Sequence, residues 1–296
     1  MTTAQNALTN ACSFLFVPAN HLEPLLKAVS SSAHAVIADL EDAVAPQDKS
    51  EARRQLTEAY ATLNSAARAR LLVRINAADT PWHDDDLIAM RQLVRQGLAG
   101  VVIPKAESAA QIAHVAALLN EGKRSAHPAC ALVPLISSAQ GLGAIEEIAA
   151  SPGVLRLAFG HLDLQADMGM HCDAEETELL PARLAMVAAS RRAQLAPPID
   201  GVTVALQDAT RLMADTARSR RFGFGGKLCI HPAQLPCVAS VFAPSSADIQ
   251  WARSVLAAQT KAKGGTFSLG GRMVDAPVVR LAQQTLQRAT IASGRS

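Results

Sequence analysis

Short, nearly continuous apolar runs alternate along the chain with longer stretches whose apolar residues recur every three or four positions. The runs cover residues 14–17, closed by Pro18, and 35–38, which lead into Asp39-Leu40-Glu41-Asp42. They continue at 71–75, at 101–103 before Pro104-Lys105, and at 131–136, which contains Pro134. The last three are 155–159 before Gly160, a weaker one at 199–206, and 227–230 before His231-Pro232. Continuous apolar runs this short suit strands buried on both faces. Between them, residues 50–63, 85–96, 108–120, 175–194 and 208–220 carry the spacing of helices packed on one side. Asp84 and Asp208 stand where N-caps are expected. Eight strand–helix repeats predict an α/β fold, a TIM (β/α)8 barrel by its size. An open doubly wound sheet would place a glycine fingerprint after the first strand, and residues 16–20 contain no glycine.

The pattern changes after Pro244. A helix is predicted over 245–263 with Ser246 as its cap, broken by Gly264-Gly265. A short glycine-interrupted segment follows at 266–274, then a final helix at 277–289. The expected organisation is a catalytic barrel over residues 1–243 and a C-terminal helical extension over 244–296. Such an extension either packs on a neighbouring subunit or caps its own barrel.

Composition narrows the function classes. The 296 residues carry 28 Lys+Arg against 26 Asp+Glu, a net charge of +2, so no basic footprint for nucleic acid is expected. Only 3% are aromatic, which leaves few stacking platforms for single strands. With 49% hydrophobic residues the chain has ample material for a core. No stretch has the length of a membrane span, and the first ten residues lack a signal peptide's basic and apolar regions. The five cysteines are odd in number, with no pair at the C-x-x-C spacing. Both features suit a reduced, cytoplasmic protein.

In a barrel, the C-terminal ends of the strands form one rim where active sites sit. The polar residues at the predicted strand ends are Asp39, Glu41, Asp42, Arg74, Asn76, Lys105, Ser137, Ser138, Asp163 and His231. Three carboxylates within four residues repel one another, so the acidic turn is either a solvated loop or part of a metal-and-substrate site. Arg74 ends a buried run and needs a partner. It clamps a substrate carboxylate through two parallel hydrogen bonds, pairs internally with the acidic turn, or does both. Asp163 is a candidate oxygen ligand for Mg²⁺. His161 alone, or His171-Cys172-Asp173, is too little for a tetrahedral zinc site. The glycines at 223–226 precede a strand, so they are not a phosphate-cradling loop.

Seven pieces occur in order: Ser13 through Pro18, Asp39-Leu40-Glu41-Asp42, Val73 through Asn76, Ile103-Pro104-Lys105, Phe159-Gly160 through Asp163, Gly226 through Pro232, and Gly271 through Pro277. Together they resemble the citrate lyase beta subunit-like family, within the HpcH/HpaI aldolase/citrate lyase superfamily. The resemblance implies a carbon–carbon lyase that cleaves a citryl-CoA- or malyl-CoA-like thioester into an oxo-acid and an acyl-CoA. It also implies Mg²⁺ held by the residues after strands five and six, here Ser137 and Asp163. Arg74 matches the residue that binds the substrate carboxylate, and Glu41 and Asp42 match the acidic strand end near metal and substrate. Asp275 matches an acid–base residue that reaches a neighbouring subunit's site in a homotrimer. Lys105 and His231 are expected at the substrate-binding rim, and Lys27 as a phosphate contact.

Two residues depart from the family pattern. Ser137 stands where a glutamate is usual, which removes one of two carboxylates and weakens Mg²⁺ affinity. Cys12 stands where an arginine that holds the acyl-CoA end is usual. These departures keep two alternatives open: a CoA-independent aldolase on a pyruvate-like substrate, and a non-catalytic ligand-binding barrel.

Overall fold

The computed structural model of the chain describes residues 3–121, 130–262 and 265–293. Eight parallel strands close into a barrel: β1 Ser13–Pro18, β2 Ala35–Asp39, β3 Leu71–Arg74, β4 Gly100–Ile103, β5 Ala131–Ile136, β6 Ala158–Phe159, β7 Ile199–Asp200 and β8 Gly226–Cys229. Each pairs with the next, and β8 closes on β1 through Ser13↔Lys227, Phe14↔Leu228 and Leu15↔Cys229. Two strands are much shorter than their apolar runs. β6 keeps only Ala158–Phe159 of 155–159, and β7 only Ile199–Asp200 of 199–206.

Side-chain alternation decides what the barrel encloses. Phe14, Ile37, Leu72, Val102, Leu135, Ala158, Ile199 and Leu228 belong to one buried cluster. Stepping two residues along the same strands reaches Phe16, Asp39, Arg74, Pro104, Ser137, Gly160, Gly201 and Ile230. The inward series, wholly apolar in the centre, thus gains the polar side chains of Asp39, Arg74 and Ser137 at the C-terminal mouth.

At the other end, Arg156 is almost wholly buried and closes the floor. It donates to the carbonyls of Pro197 (2.7 Å), Leu8 (3.0 Å) and Ala11 (2.7 Å), with its guanidinium 5.1 Å from the Phe14 ring centre.

Several local expectations need correction. The helix expected over 175–194 is only Leu180–Arg192. Pro181 fits its first turn, and Glu176 is left-handed at φ 52°, so residues 170–179 form a loop and a short 3-10 turn. Asp84 lies inside the first turn of the helix His83–Arg95, whose N-cap is Trp82. Its charge, with those of Asp85 and Asp86, still favours that helix end. Asp208 does cap its helix, accepting from the Arg211 backbone N–H at 2.8 Å. In the tail, Ser245 rather than Ser246 makes the capping bond, accepting from Asp248 N–H at 3.0 Å.

The chain divides into two compact units, Met1–Ala239 and Ser240–Ser296. The second contains the helices Ser246–Ala262 and Ala276–Ser293 and an antiparallel hairpin, β9 Phe267–Leu269 with β10 Arg272–Val274. Ala252, Val255, Val274, Val279 and Ala282 form its core. Among the described residues no helix is long and apolar enough to cross a membrane.

Candidate active site

A cavity of about 400 Å³ opens at the barrel mouth. Its polar lining is Asp39, Asp42, Arg74, His161 and Asp163. Arg74 and Asp163, 89 positions apart in sequence, thus face one space. Convergence of strand ends produces this arrangement, and no local motif is required.

Register builds the Arg74 site. Asp39 and Arg74 are direct partners across β2 and β3. Arg74 Nε and Nη2 donate to the two Asp39 carboxylate oxygens, both at 2.7 Å. Nη1 reaches Glu41 Oε2 at 2.8 Å and Asp42 Oδ2 at 3.1 Å. The parallel pair of bonds is therefore made to Asp39. The expected internal pairing with the acidic turn is present. Asp39 thus takes two of the five guanidinium N–H groups, and Nη1 pairs by charge with Glu41 and Asp42. Phe16 lies beneath, its ring centre 4.8 Å from the guanidinium carbon.

The acidic turn is held from behind. Asp39 accepts from the backbone N–H groups of Glu41 (2.9 Å) and Ala43 (3.1 Å). Lys49, buried, donates to the carbonyls of Leu40 (2.7 Å) and Glu41 (2.6 Å). Asn76, just past Arg74, is fixed by the buried Asp86, which accepts from its backbone N–H (2.8 Å) and side-chain amide (2.7 Å). The turn is thus held to the mouth by buried bonds through Asp39 and Lys49, while Asp42 remains exposed to solvent.

Its electrostatics are strained. Burial pushes the Glu41 carboxyl up to about 7, helped by repulsion from Asp42, Asp39 and Asp163, while Arg74 opposes. Burial likewise raises the Asp163 carboxyl, with Asp42 adding to it and Arg74 and Lys105 opposing. Arg74 is held above its usual range: burial acts against its charge, but Asp39, Glu41 and Asp42 outweigh it.

The remaining expected residues are scattered. Glu41 is part of the charge cluster but does not line the cavity. Lys105 is exposed, left-handed at φ 42°, and near enough for its charge to act on Asp163. Ser137 is buried beside Gly160, where an added Cβ would lie 2.6 Å from the Ser137 Cβ. Its hydroxyl oxygen has no hydrogen-bond partner among the described residues. His231 is exposed and caps the turn that follows β8, accepting from the Ala233 N–H at 3.1 Å. Lys27 pairs with Glu23 at 2.6 Å on the exposed face of the helix Leu22–Val29 and lines a separate shallow depression. Asp275 belongs to the second unit and caps its last helix, accepting from the Val278 N–H at 3.3 Å. Cys12 precedes β1, and about 20 Å of strand separates it from the mouth. Its sulfur faces His34 Nδ1 at 3.5 Å, so an arginine's absence there has no bearing on a ligand at the mouth.

The sequence reading gave no site role to His161 or Lys49 and did not single out Glu176. His161 is buried against Gly201, where an added Cβ would lie 2.0 Å from its Nδ1. Burial lowers its imidazole to about 4, so it is neutral near pH 7. Its Nε2 lies 3.7 Å from Glu176, which collects Arg183 (2.5 Å), Arg218 (2.7 Å) and Arg211 (3.3 Å). Strained non-glycine backbone at Lys105 and Glu176 is the kind that clusters near functional sites. A sequence alone does not display it.

The donor set bears on the implied metal. Among the described residues no three His, Cys, Asp or Glu side chains are grouped to hold an ion. That disfavours a closed tetrahedral zinc site. The mouth offers instead Asp163 and Asp42, with Ser137 and its unpartnered oxygen buried behind the lining residue Gly160, in a field where four carboxylates face one arginine. Few carboxylates and an excess of negative charge suit Mg²⁺, which keeps several waters and accepts substrate oxygens.

The sequence profile of the HpcH/HpaI aldolase/citrate lyase family matches residues 12–232. Citrate lyase subunit beta of Leuconostoc mesenteroides subsp. cremoris is 34% identical over 284 residues, covering 94% of this chain and 92% of that one. The L-malyl-CoA/beta-methylmalyl-CoA lyase of Rhodobacter capsulatus is 33% identical over 309 residues, covering 97% and 96%. The crystal structure of protein CitE from Mycobacterium tuberculosis in complex with magnesium, acetoacetate and coenzyme A superposes with a TM-score of 0.79. It is 31% identical and covers 95% of this chain and 99% of its own. Barrel topology, the acidic turn bonded to Arg74, and likeness over nearly the whole length converge: the chain belongs to the HpcH/HpaI aldolase/citrate lyase family.

Proposed function

We propose that this chain is a Mg²⁺-assisted carbon–carbon lyase that splits a 3-hydroxyacyl-CoA thioester of the citryl or malyl type into an oxo-acid and an acyl-CoA. The observation that carries the reading is the shared cavity of Arg74, Asp42 and Asp163 at the barrel mouth. The magnesium, acetoacetate and coenzyme A in the Mycobacterium tuberculosis relative support the ligand classes.

Asp163 and the Ser137 hydroxyl would hold the ion, with Asp42 and Glu41 adding charge nearby. Bound magnesium supplies Lewis acidity at the oxygen that becomes the oxo-acid carbonyl. Serine brings no charge, so affinity is lower than with a glutamate at that position. Arg74 orients the substrate carboxylate through an N–H that Asp39 does not take and fixes the acidic turn through Asp39. Lys105 at the rim attracts the anionic coenzyme. Incubation with citryl-CoA, malyl-CoA and their methyl-substituted analogues plus Mg²⁺ is expected to release oxo-acid. If every thioester is returned intact, the reading fails.

The Ser240–Ser296 unit completes the proposal. Asp275 supplies the acid–base group at the acyl carbon of a neighbouring subunit in a homotrimer. Asp275→Asn and Arg74→Met variants, each inactive alone, are then expected to regain part of the activity when unfolded and refolded together. Mixed trimers would contain sites with both native residues. No recovery above the separate variants argues for a site confined to one subunit.

A further inference from the structure

Among the described residues, the side chains with N–H groups that line the cavity at the mouth are Arg74 and His161. Arg74 is engaged by Asp39, Glu41 and Asp42. His161 is only 3% exposed, yet among the described residues neither of its ring nitrogens makes a hydrogen bond. Buried polar groups without a partner are uncommon, and one that lines a cavity is placed to meet a ligand.

The surroundings decide which nitrogen is available. Nδ1 is pressed against Gly201, where an added Cβ would lie 2.0 Å away. Nε2 is turned towards Glu176 at 3.7 Å, too far for a hydrogen bond, and Glu176 is itself taken by Arg183, Arg211 and Arg218. An ionised carboxylate only accepts, so the nitrogen turned to it carries the proton. The Nε2–H group is thus a donor with no acceptor at bonding distance.

The lyase chemistry leaves one oxygen without a donor. In a 3-hydroxyacyl thioester, the carboxylate and hydroxyl on the third carbon belong with Arg74 and the cation site. The thioester carbonyl lies two bonds away. When the bond between the second and third carbons breaks, the hydroxyl loses its proton to water and becomes the oxo-acid carbonyl. The electron pair of the broken bond passes into the acyl half, and its charge settles on the thioester oxygen as an enolate. The enolate then takes a proton at carbon. A donor aimed at that oxygen acts where the charge develops. The strand that leads into His161, β6, stands opposite β2 in the ring of eight, so His161 faces the Asp39 and Arg74 wall across the cavity.

We propose, resting on the lyase reading above, that His161 is a catalytic residue whose Nε2–H donates to the thioester carbonyl oxygen and holds the enolate formed as the carbon–carbon bond breaks. The imidazole acts as a fixed donor and exchanges no proton with the substrate.

The test compares the wild type with His161→Phe, which keeps a ring but no donor, and His161→Gln, which restores an N–H. With citryl-CoA or malyl-CoA and Mg²⁺, His161→Phe is expected to lower kcat by a factor on the order of 100. KM, and Mg²⁺ affinity by calorimetry, are expected to stay within about threefold of the wild type, since the bond strengthens only as charge develops. His161→Gln is expected to recover part of the lost rate. Infrared spectroscopy of bound acetyl-CoA, labelled with ¹³C at the thioester carbonyl, reads the contact without turnover. The wild-type carbonyl band is expected below that of His161→Phe, because a hydrogen bond weakens the C=O bond. Equal bands in the two proteins, or an unchanged kcat in His161→Phe, overturn the inference while oxo-acid release by the wild type keeps the lyase reading. So does a joint loss of kcat and Mg²⁺ affinity in both variants, the mark of a purely structural role. If the wild type releases no oxo-acid from any thioester, the lyase reading and the inference fall together.

Discussion

Arg74→Met is expected to abolish turnover and to lower stability by about 3–5 kcal/mol, the cost of removing one partner from a buried ion pair. The arginine is the hub of the mouth. It bonds Asp39 through two contacts of 2.7 Å and holds Glu41 and Asp42 at 2.8 and 3.1 Å. Without it Asp39 stays buried with only backbone donors, and three like charges crowd one turn. Arg74→Lys keeps the charge but not the planar fork, so it recovers part of the stability and little of the activity. Urea unfolding and oxo-acid release check both. A methionine variant within about 1 kcal/mol of wild type would show that the pair is a surface-type contact of small worth.

The second large effect is pH-dependent. Glu41 titrates at about 7 in the folded chain, against an ordinary value of 4.5. Between these values the folded state keeps a proton that the unfolded chain has lost. Stability therefore falls as pH rises through that window, by up to about 3 kcal/mol from this group, and stays low above it. Glu41→Gln is expected to flatten this part of the profile. A divalent cation acts in the opposite sense. Mg²⁺ should stabilise the protein more at pH 8 than at pH 6, and its binding near pH 7 should release a proton measurable by calorimetry in buffers of different ionisation enthalpy. An unchanged slope in Glu41→Gln would assign the titration to another group.

Much of the barrel was legible because a strand buried on both faces must be apolar throughout. β1 to β5 and β8 read directly from their runs and closing residues. β6 and β7 did not, since regular pairing covers only the last two residues of the run 155–159 and only the first two of the run 199–206. The loop before the helix Leu180–Arg192 was misread as helix because helical spacing extends upstream of Pro181. The position of Cys12 shows a different limit. Likeness matched the residue, but the direction of β1 decided which end of the barrel it occupies.

The candidate site divides along the same line. Asp39, Arg74 and Asp163 stand out in sequence as charged residues at the ends of apolar runs, where burial demands a partner. Their identity, the barrel and the family were determined by the order of residues alone. Which partner each takes was not. The Asp39–Arg74 bond depends on the register of β2 against β3, and the roles of Lys49, His161 and Glu176 depend on chain segments that meet only after closure. Hydrophobic periodicity acts over neighbouring residues and so is written locally. Hydrogen bonds between side chains 35 positions apart, such as Asp39 with Arg74, exist only once the backbone has brought them together.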